Sequence, residues 1–395
     1  MALSYGLTNP AAFKKGGGSE PTPIGYKLYK LNSKKVWESN DFGLNWNECT
    51  FASGAATNSY KLNLVYDPIN DKVVILGNYT PYNQSDSNYS FYATPSLNTT
   101  TSFTLGTKRP KSTYVYTSTT NKDEQYGTVF DYETNSLVSL HNTKTNYSST
   151  IYNNFTYLIN DNYLTPNTFA SPAFIISRPD DPLCSNIVTS KEGIVLEIAS
   201  ESNNGYKANL FRFVKNSSTS YSKQIVAAIS VATLGIYTNY KMQACYLKNI
   251  GFVLKWVYSN KLYTRVIYLD GTLSSTRDWG NCSNSEVYTA LSSNNFYDDK
   301  VYLAHQKAVY YTSDGINWNT CSGVLERNAQ GENYNGIILN TGNNIVVGTG
   351  RYFQVSNNGG NTFTPGNNSI SGSTRPENMY VAGSNYALIL VPIYA

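Results

Sequence analysis

Apolar residues in this chain come in short runs, each closed by a cluster of Asn, Asp, Gly, Ser or Pro. Almost none recur at the 3.6-residue period of a helix. Lys72–Gly77 (KVVILG), Gly193–Ile198 (GIVLEI), Gly251–Tyr258 (GFVLKWVY) and Asn344–Gly348 (NIVVG) are typical, and a more alternating run follows each. The pattern predicts short β-strands separated by turns, regular enough to suggest an internal repeat. No run approaches the length of a membrane-spanning helix, so no membrane insertion is expected. The longest apolar stretch, Tyr386–Ala395, has the length of a strand and contains Pro392.

The repeat shows where the turns are best preserved. Ser39-Asn40-Asp41-Phe42-Gly43-Leu44-Asn45-Trp46 reads S-x-D-x-G-x-N-W. Ser356-Asn357-Asn358-Gly359-Gly360-Asn361-Thr362-Phe363 keeps the same offsets, with Asn358 for Asp and Phe363 for Trp. Thr312-Ser313-Asp314-Gly315-Ile316-Asn317-Trp318 is one residue shorter, and the hydroxyl position is assigned to Ser313. Two copies continue into a matching Asn-x-Cys, at Asn47-Glu48-Cys49 and Asn319-Thr320-Cys321. These segments resemble the Asp-box (BNR) motif, S-x-D-x-G-x-T-W, of β-propeller proteins. The resemblance implies that Ser39, Asp41, Gly43, Trp46, Ser313, Asp314, Gly315, Trp318, Ser356, Asn358, Gly360 and Phe363 build turns and perform no catalysis. The motif has a physical logic as a hairpin closure. Hydroxyl and carboxylate satisfy turn N–H groups, Gly supplies positive φ, and the aromatic ring packs back onto the sheet.

The spacing sets the architecture. Trp318 to Phe363 is one propeller-blade period of about 45 residues, and Trp46 to Trp318 divides into five periods of about 54 or six of about 45. Candidate blades fall near 55–105, 112–165, 172–222, 228–280, 285–324 and 333–366, with the box lost from the middle four. The start, Tyr26–Phe51, has a box but no inner strands before it. The tail, Met379–Ala395, offers two inner-type strands with no box after them. Joined, they complete one blade and close the ring, which removes exposed sheet edges. The expectation is an all-β chain forming a single propeller of about seven four-stranded blades, with eight or six as alternatives, over residues 24–395. Residues 1–23, with Gly16-Gly17-Gly18 and Pro21-Thr22-Pro23, read as an N-terminal arm or linker that could anchor the ring.

Composition sharpens this. Charged residues are 14% of the 395, aromatics are also 14%, and 35 of the aromatics are Tyr. That balance excludes a disordered chain and a long helical one. Thirty basic against 26 acidic residues give a net charge of only +4 with no basic block, so nucleic acid is not an expected partner. Five widely spaced Cys form no CxxC pair, which argues against a disulfide framework and a zinc site. No metal or cofactor is expected. Met1–Gly18 lacks the charged start and apolar core of a signal peptide, so synthesis in a host cytoplasm is the expectation.

Candidate chemistry is sparse. A sialidase would need an arginine cluster and a Phe/Tyr-Arg-Ile-Pro element before the first box, but the first Arg is Arg109. The Arg-Pro pairs at 109, 178 and 375 lack that form. Asp180-Asp181 and Asp298-Asp299 are adjacent acids, which point to opposite faces of a strand and make no dyad. His141 and His305 are the two His of the chain. Without a nucleophile motif the expectation is a non-enzyme.

The surplus of Tyr, Asn, Ser and Thr suits stacking and hydrogen bonding to glycan or protein surfaces. Tyr79, Tyr82, Tyr89 and Tyr92 mark the candidate binding loop. A low-charge, strand-rich propeller with a Gly/Pro arm resembles bacteriophage virion proteins of the tail, fibre, collar or capsid-decoration kind. That likeness implies a structural or adhesion role in the virion. Residues 1–23 would hold other virion proteins, and the loops would hold a host-surface glycan or protein. The alternatives are a sialidase-like or other polysaccharide-acting glycosidase, and a non-viral scaffold for protein assembly.

Overall fold

The computed structural model describes residues 23–32, 35–51, 59–68, 71–79, 87–93, 100–109, 122–147, 150–160, 185–200, 205–217, 221–236, 242–259, 261–282, 289–292, 299–326, 336–349, 352–366 and 388–394. One helical turn apart, its regular structure is strand. The chain opens with β1 (Gly25–Asn32), β2 (Lys35–Ser39), β3 (Asn47–Glu48) and β4 (Thr50–Phe51). A meander follows of β5 (Ser59–Asp67), β6 (Lys72–Tyr79), β7 (Ser87–Ala93) and β8 (Ser102–Arg109). Then come β9 (Lys122–Asp131), β10 (Ser136–Tyr147) and β11 (Thr150–Asn160). The next sheet holds β12 (Ser185–Thr189), β13 (Val195–Ser200), β14 (Tyr206–Lys215) and β15 (Tyr221–Ile229), followed by α1 (Val231–Leu234). Next are β16 (Met242–Leu247), β17 (Gly251–Tyr258), β18 (Lys261–Tyr268) and β19 (Arg277–Asn281). Two more meanders follow: β20 (Thr289–Ser292), β21 (Val301–His305), β22 (Ala308–Thr312) and β23 (Asn319–Val324), then β24 (Gly336–Asn340), β25 (Ile345–Thr349), β26 (Tyr352–Ser356) and β27 (Thr364–Pro365). The last strand is β28 (Leu388–Ile393).

Each sequence window expected to hold a blade contains most of one of these meanders. The inner strands of successive sheets touch in cyclic order: β28 meets β5, then β9, β12, β16, β20 and β24, and β24 meets β28 again. Among the described residues this arranges six hydrogen-bonded sheets in a ring, one of them an eight-stranded sheet in which the meanders β20–β23 and β24–β27 are joined by parallel pairing of β20 with β24. The fold is a β-propeller. Stacking explains the burial. β16 and the first six residues of β17 are buried throughout, because a neighbouring sheet covers each face. Outer strands face solvent more, so β23 alternates exposed and buried over its last four positions.

Ring closure joins the two ends of the chain, but the division differs from the expected half and half. β28 pairs with β1 from Gly25↔Ile393 to Lys30↔Leu388, and the sheet runs β28-β1-β2-β3. The tail contributes one described strand, and the start contributes three. β1 has the apolar alternation of a second strand, and β28 supplies the first. Beyond it, β4 leaves this sheet and pairs in parallel with β8, Thr50 opposite Ser102, so the chain clips two neighbouring sheets at their outer edge.

Buried polar pairs key the sheets to one another. Lys27 Nζ lies 3.0 Å from Glu38 Oε2, with the two side chains 0% and 1% exposed. Thr101, from the next sheet, donates its hydroxyl to the same Glu38 oxygen and lies 2.8 Å from the Tyr29 hydroxyl. Gln354 of β26 accepts from Glu326 N at 2.8 Å and donates to Glu326 O at 2.9 Å, tying two sheets by both halves of one amide. Such groups are costly to leave unpaired, so they also fix the register of the contact.

Candidate functional site

The best-defined constellation is the set of turns joining third to fourth strands. In the first, Ser39 Oγ accepts from Gly43 N at 2.8 Å and donates to Asp41 Oδ1 at 2.7 Å. Asp41 Oδ1 also accepts from Asn45 N at 2.8 Å, and Oδ2 accepts from Asn45 Nδ2 at 2.7 Å. The third turn repeats this. Gly360 N donates to Ser356 Oγ at 2.9 Å, Ser356 Oγ donates to Asn358 Oδ1 at 2.9 Å, and Thr362 N donates to that oxygen at 3.0 Å. The amide changes one bond: Asn358 Nδ2 now donates to Thr362 Oγ1 at 2.9 Å. Acceptor faces donor in both turns, but with the roles exchanged between Asp41/Asn45 and Asn358/Thr362.

The middle turn corrects one assignment. The hydroxyl that accepts from Gly315 N at 2.8 Å and donates to Asp314 Oδ1 at 2.9 Å belongs to Thr312, while Ser313 is exposed. The missing residue lies between Asp and Gly. The hydroxyl therefore keeps its offset of two from the carboxylate, and aligning on Ser misplaces it. Asp314 Oδ1 accepts from Ile316 N and Asn317 N, and Oδ2 accepts from Asn317 Nδ2. Partial burial would raise this carboxyl, but these bonds outweigh it and hold it at about 2. At Asp41 the same balance of burial against bonds from Asn45 and Ser39 lowers the carboxyl below its ordinary range. These carboxylates are anions spent on the turn, and nothing about them suits proton transfer.

A fourth turn of this kind is not legible in the sequence. Between β18 and β19, Asp270 Oδ1 accepts from Thr272 N at 2.9 Å and Thr272 Oγ1 at 2.7 Å, and Gly271 has φ +87°. It lacks the Ser, and its only signal is Asp-Gly-Thr. Its packing gives it away. A Cβ on Gly271 would lie 2.2 Å from Ala227 Cβ of the preceding sheet. One on Gly315 would lie 2.4 Å from Val266 Cγ2, and one on Gly360 would lie 2.6 Å from Cys321 Sγ, again on the preceding sheet. With φ at +77° and +88°, Gly is required there on both backbone and contact grounds. These turns are keys seated in the neighbouring blade. The aromatic that ends each motif helps: Phe363 is buried, and Trp318 meets Trp279 edge to face at 5.3 Å. In the first turn the contacts stay within the sheet, Gly43 lying against Trp46 and Leu28.

The Tyr set is not a single loop. Tyr79 ends β6, and Tyr89 and Tyr92 lie within β7, opposite Gly77 and Val74. Tyr82 lies outside the described residues, as do residues 1–22, Asp180, Asp181 and Asp298. His141 is a strand residue opposite Thr156. His305 is buried with Nδ1 3.9 Å from Cys282 Sγ. Burial lowers the imidazole and raises the thiol, so the pair stays neutral. Asp299 is exposed, 3.5 Å from Lys248 Nζ. Arg212, Arg265 and Arg277 are engaged with the Glu192 carbonyl, the Leu234 carbonyl and the Trp279 ring, respectively. Among the described residues no group of His, Cys, Asp and Glu is placed to hold a metal ion, and no helix is long and apolar enough to cross a membrane.

No protein family matches the chain, and no curated protein does. Solved structures are similar to it over most of its length. A prolyl oligopeptidase B from Galerina marginata aligns at 9% identity and TM-score 0.45, covering 84% of this chain and 44% of its own. The chain thus spans under half the length of that enzyme. A protein from Lactobacillus plantarum aligns at 8% identity and TM-score 0.43, covering 84% and 91%. The Dos1 propeller aligns at 9% and 0.43, covering 83% and 76%.

Proposed function

We propose that this chain is a non-enzymatic binding scaffold, a structural or adhesion component of a bacteriophage particle such as a tail, fibre, collar or capsid decoration. In this reading the turns at 39–46, 312–318, and 356–363 are Asp-box turns. The supporting observation is the division of the ring into two rims. Alternation along each meander puts the first-to-second and third-to-fourth turns on one rim. Gly25 and Ile393, where the chain enters and leaves the ring, are paired on that same rim. The second-to-third connections and the links between sheets start from the opposite rim, including the one between Tyr79 of β6 and Ser87 of β7. An arm of residues 1–23 would hold the rim of compact turns against a particle. The opposite rim, with its Tyr-bearing connection, would face a host-surface glycan or protein. The turn carboxylates are held as structural anions and the His305–Cys282 pair is buried and neutral, which supports binding without bond cleavage.

Mass spectrometry of purified particles tests the reading, the chain being expected among the virion proteins. Deletion of residues 1–23 is expected to leave the ring folded and abolish incorporation. Normal incorporation of the armless ring would overturn the anchor. Release of sugar from host polysaccharide by the purified protein would overturn the non-enzymatic reading.

A further inference from the structure

We infer that β15 is a self-association edge, on which a second copy of this chain adds its own β15 in antiparallel pairing across a two-fold axis. The outer edge of each blade is where a propeller exposes unpaired backbone groups, and the blades here differ in how they guard it. β3 and β27 are two residues long, and β27 contains Pro365. β8 is covered by β4. β19 opens on exposed Arg277 and Asp278 and contains Gly280. β23 is engaged by the next blade through Gly323 N to Gly360 O at 2.8 Å.

The next blade meets β15 through packing, Gly271 lying against the Ala227 side chain, and among the described residues it makes no hydrogen bond to the backbone of residues 224–229. β15 is nine residues long, YSKQIVAAI, with neither Pro nor Gly. Its outward side chains include Ile225 at 52% and Val226 at 40% exposure, adjacent in sequence. They are adjacent and both exposed because Val226 is the extra residue of a β-bulge, Ile225 pairing with Phe211 and Ala227 with Leu210. A Lys on an edge normally repels an incoming strand. Here Lys223 is turned inward, 2.9 Å from Glu197 Oε2 and 3.8 Å above the Phe211 ring. Its charge is neutralised within its own sheet, and Gln224 to Ala228 carry none.

That arrangement selects the occupant. An antiparallel two-fold centred on Ile225 and Val226 sets these apolar side chains against their own counterparts. It sets Lys223 opposite Ala227, Ala228 or Ile229 as the axis passes through Ile225, between the two residues or through Val226, so no like charges meet. A surface that is apolar, uncharged and indifferent to its own reversal suits a second copy, because a two-fold interface must be self-complementary. One strand edge buries less than the roughly 1,600 Å² of a standard stable interface, so the dimer is expected to be weak and concentration-dependent.

Sedimentation velocity of the full chain over a wide concentration range tests this, with Ile225→Lys and Val226→Lys as variants. Both positions are exposed, so both variants are expected to melt as the wild type does. The wild type is expected to shift towards a dimer as concentration rises, while both variants stay monomeric. Amide exchange over residues 222–228 is expected to slow with concentration in the wild type alone. A wild type monomeric throughout, or variants that dimerise as well as the wild type, would overturn the inference.

Discussion

Asp131 offers a signed test of how the inner hairpins are built. It ends β9, and its Oδ2 accepts from Thr134 N at 3.0 Å and from Thr134 Oγ1 at 2.5 Å. Among the described residues its Oδ1 has no hydrogen-bond partner within bonding geometry, although the residue is 0% exposed. Burial raises this carboxyl to about 6, more than the bonds from Thr134 and the Glu133 backbone N–H can offset, and the Glu133 charge adds a smaller push in the same direction as burial. The folded chain therefore keeps this proton to about pH 6, while the unfolded chain releases it near pH 4. Between those values the native state binds more protons, so stability falls as pH rises through the window and stays lower above it. Crossing that window costs the fold at most about 3 kcal/mol. Asp131→Asn keeps an acceptor for Thr134 and cannot ionise. Urea unfolding at a series of pH values is expected to show variant and wild type alike near pH 4, with the variant ahead by about 1–3 kcal/mol near pH 8. A variant less stable at the alkaline end, or a difference that ignores pH, would refute the reasoning. The anion would then be favoured in the fold.

Other substitutions test the keys and the buried pairs. Gly315→Ala meets both a positive φ and Val266 Cγ2, so a loss of about 2–3 kcal/mol is expected by urea unfolding, with Gly271→Ala similar through Ala227. Asp41→Asn sets two amide donors face to face, costing about 1 kcal/mol, and adding Asn45→Thr is expected to recover most of it by recreating the Asn358–Thr362 pair. A double-mutant cycle with no coupling would sink that account. Glu38→Gln leaves the Lys27 ammonium without its buried counter-charge, and a loss of about 3–5 kcal/mol in unfolding free energy is expected.

Much of the fold is legible because propeller strands are local. Runs such as KVVILG mark second strands because neighbouring sheets cover both faces, burying Val73, Val74 and Ile75 in succession. The Ser39 and Ser356 turns are legible because their hydrogen bonds fix an offset from hydroxyl to carboxylate to Gly. Thr312 escapes that pattern because the deletion falls on the other side of the carboxylate. Asp270 escapes it because what makes its turn a key is contact with Ala227 of another sheet, which no local pattern carries. The division of the closing blade follows from β28 pairing with β1 across nearly the whole chain, and β4 crossing to β8 is equally non-local. The Tyr residues of 79–92 look alike in sequence, yet most belong to strands, because Tyr serves strand propensity as well as surface contact.

The central claim is a ring closed by the last strand. β28 places Leu388, Ile389, Leu390, Val391 and Ile393 in the core, each at most 8% exposed. At about 1.5–3 kcal/mol per buried side chain, its loss removes on the order of 10 kcal/mol, comparable with the whole stability of a typical protein. The decisive measurement is calorimetry of the chain lacking residues 380–395. The account expects the single cooperative transition of the full chain to be lost. A truncated chain that keeps one cooperative transition near the original temperature would contradict it.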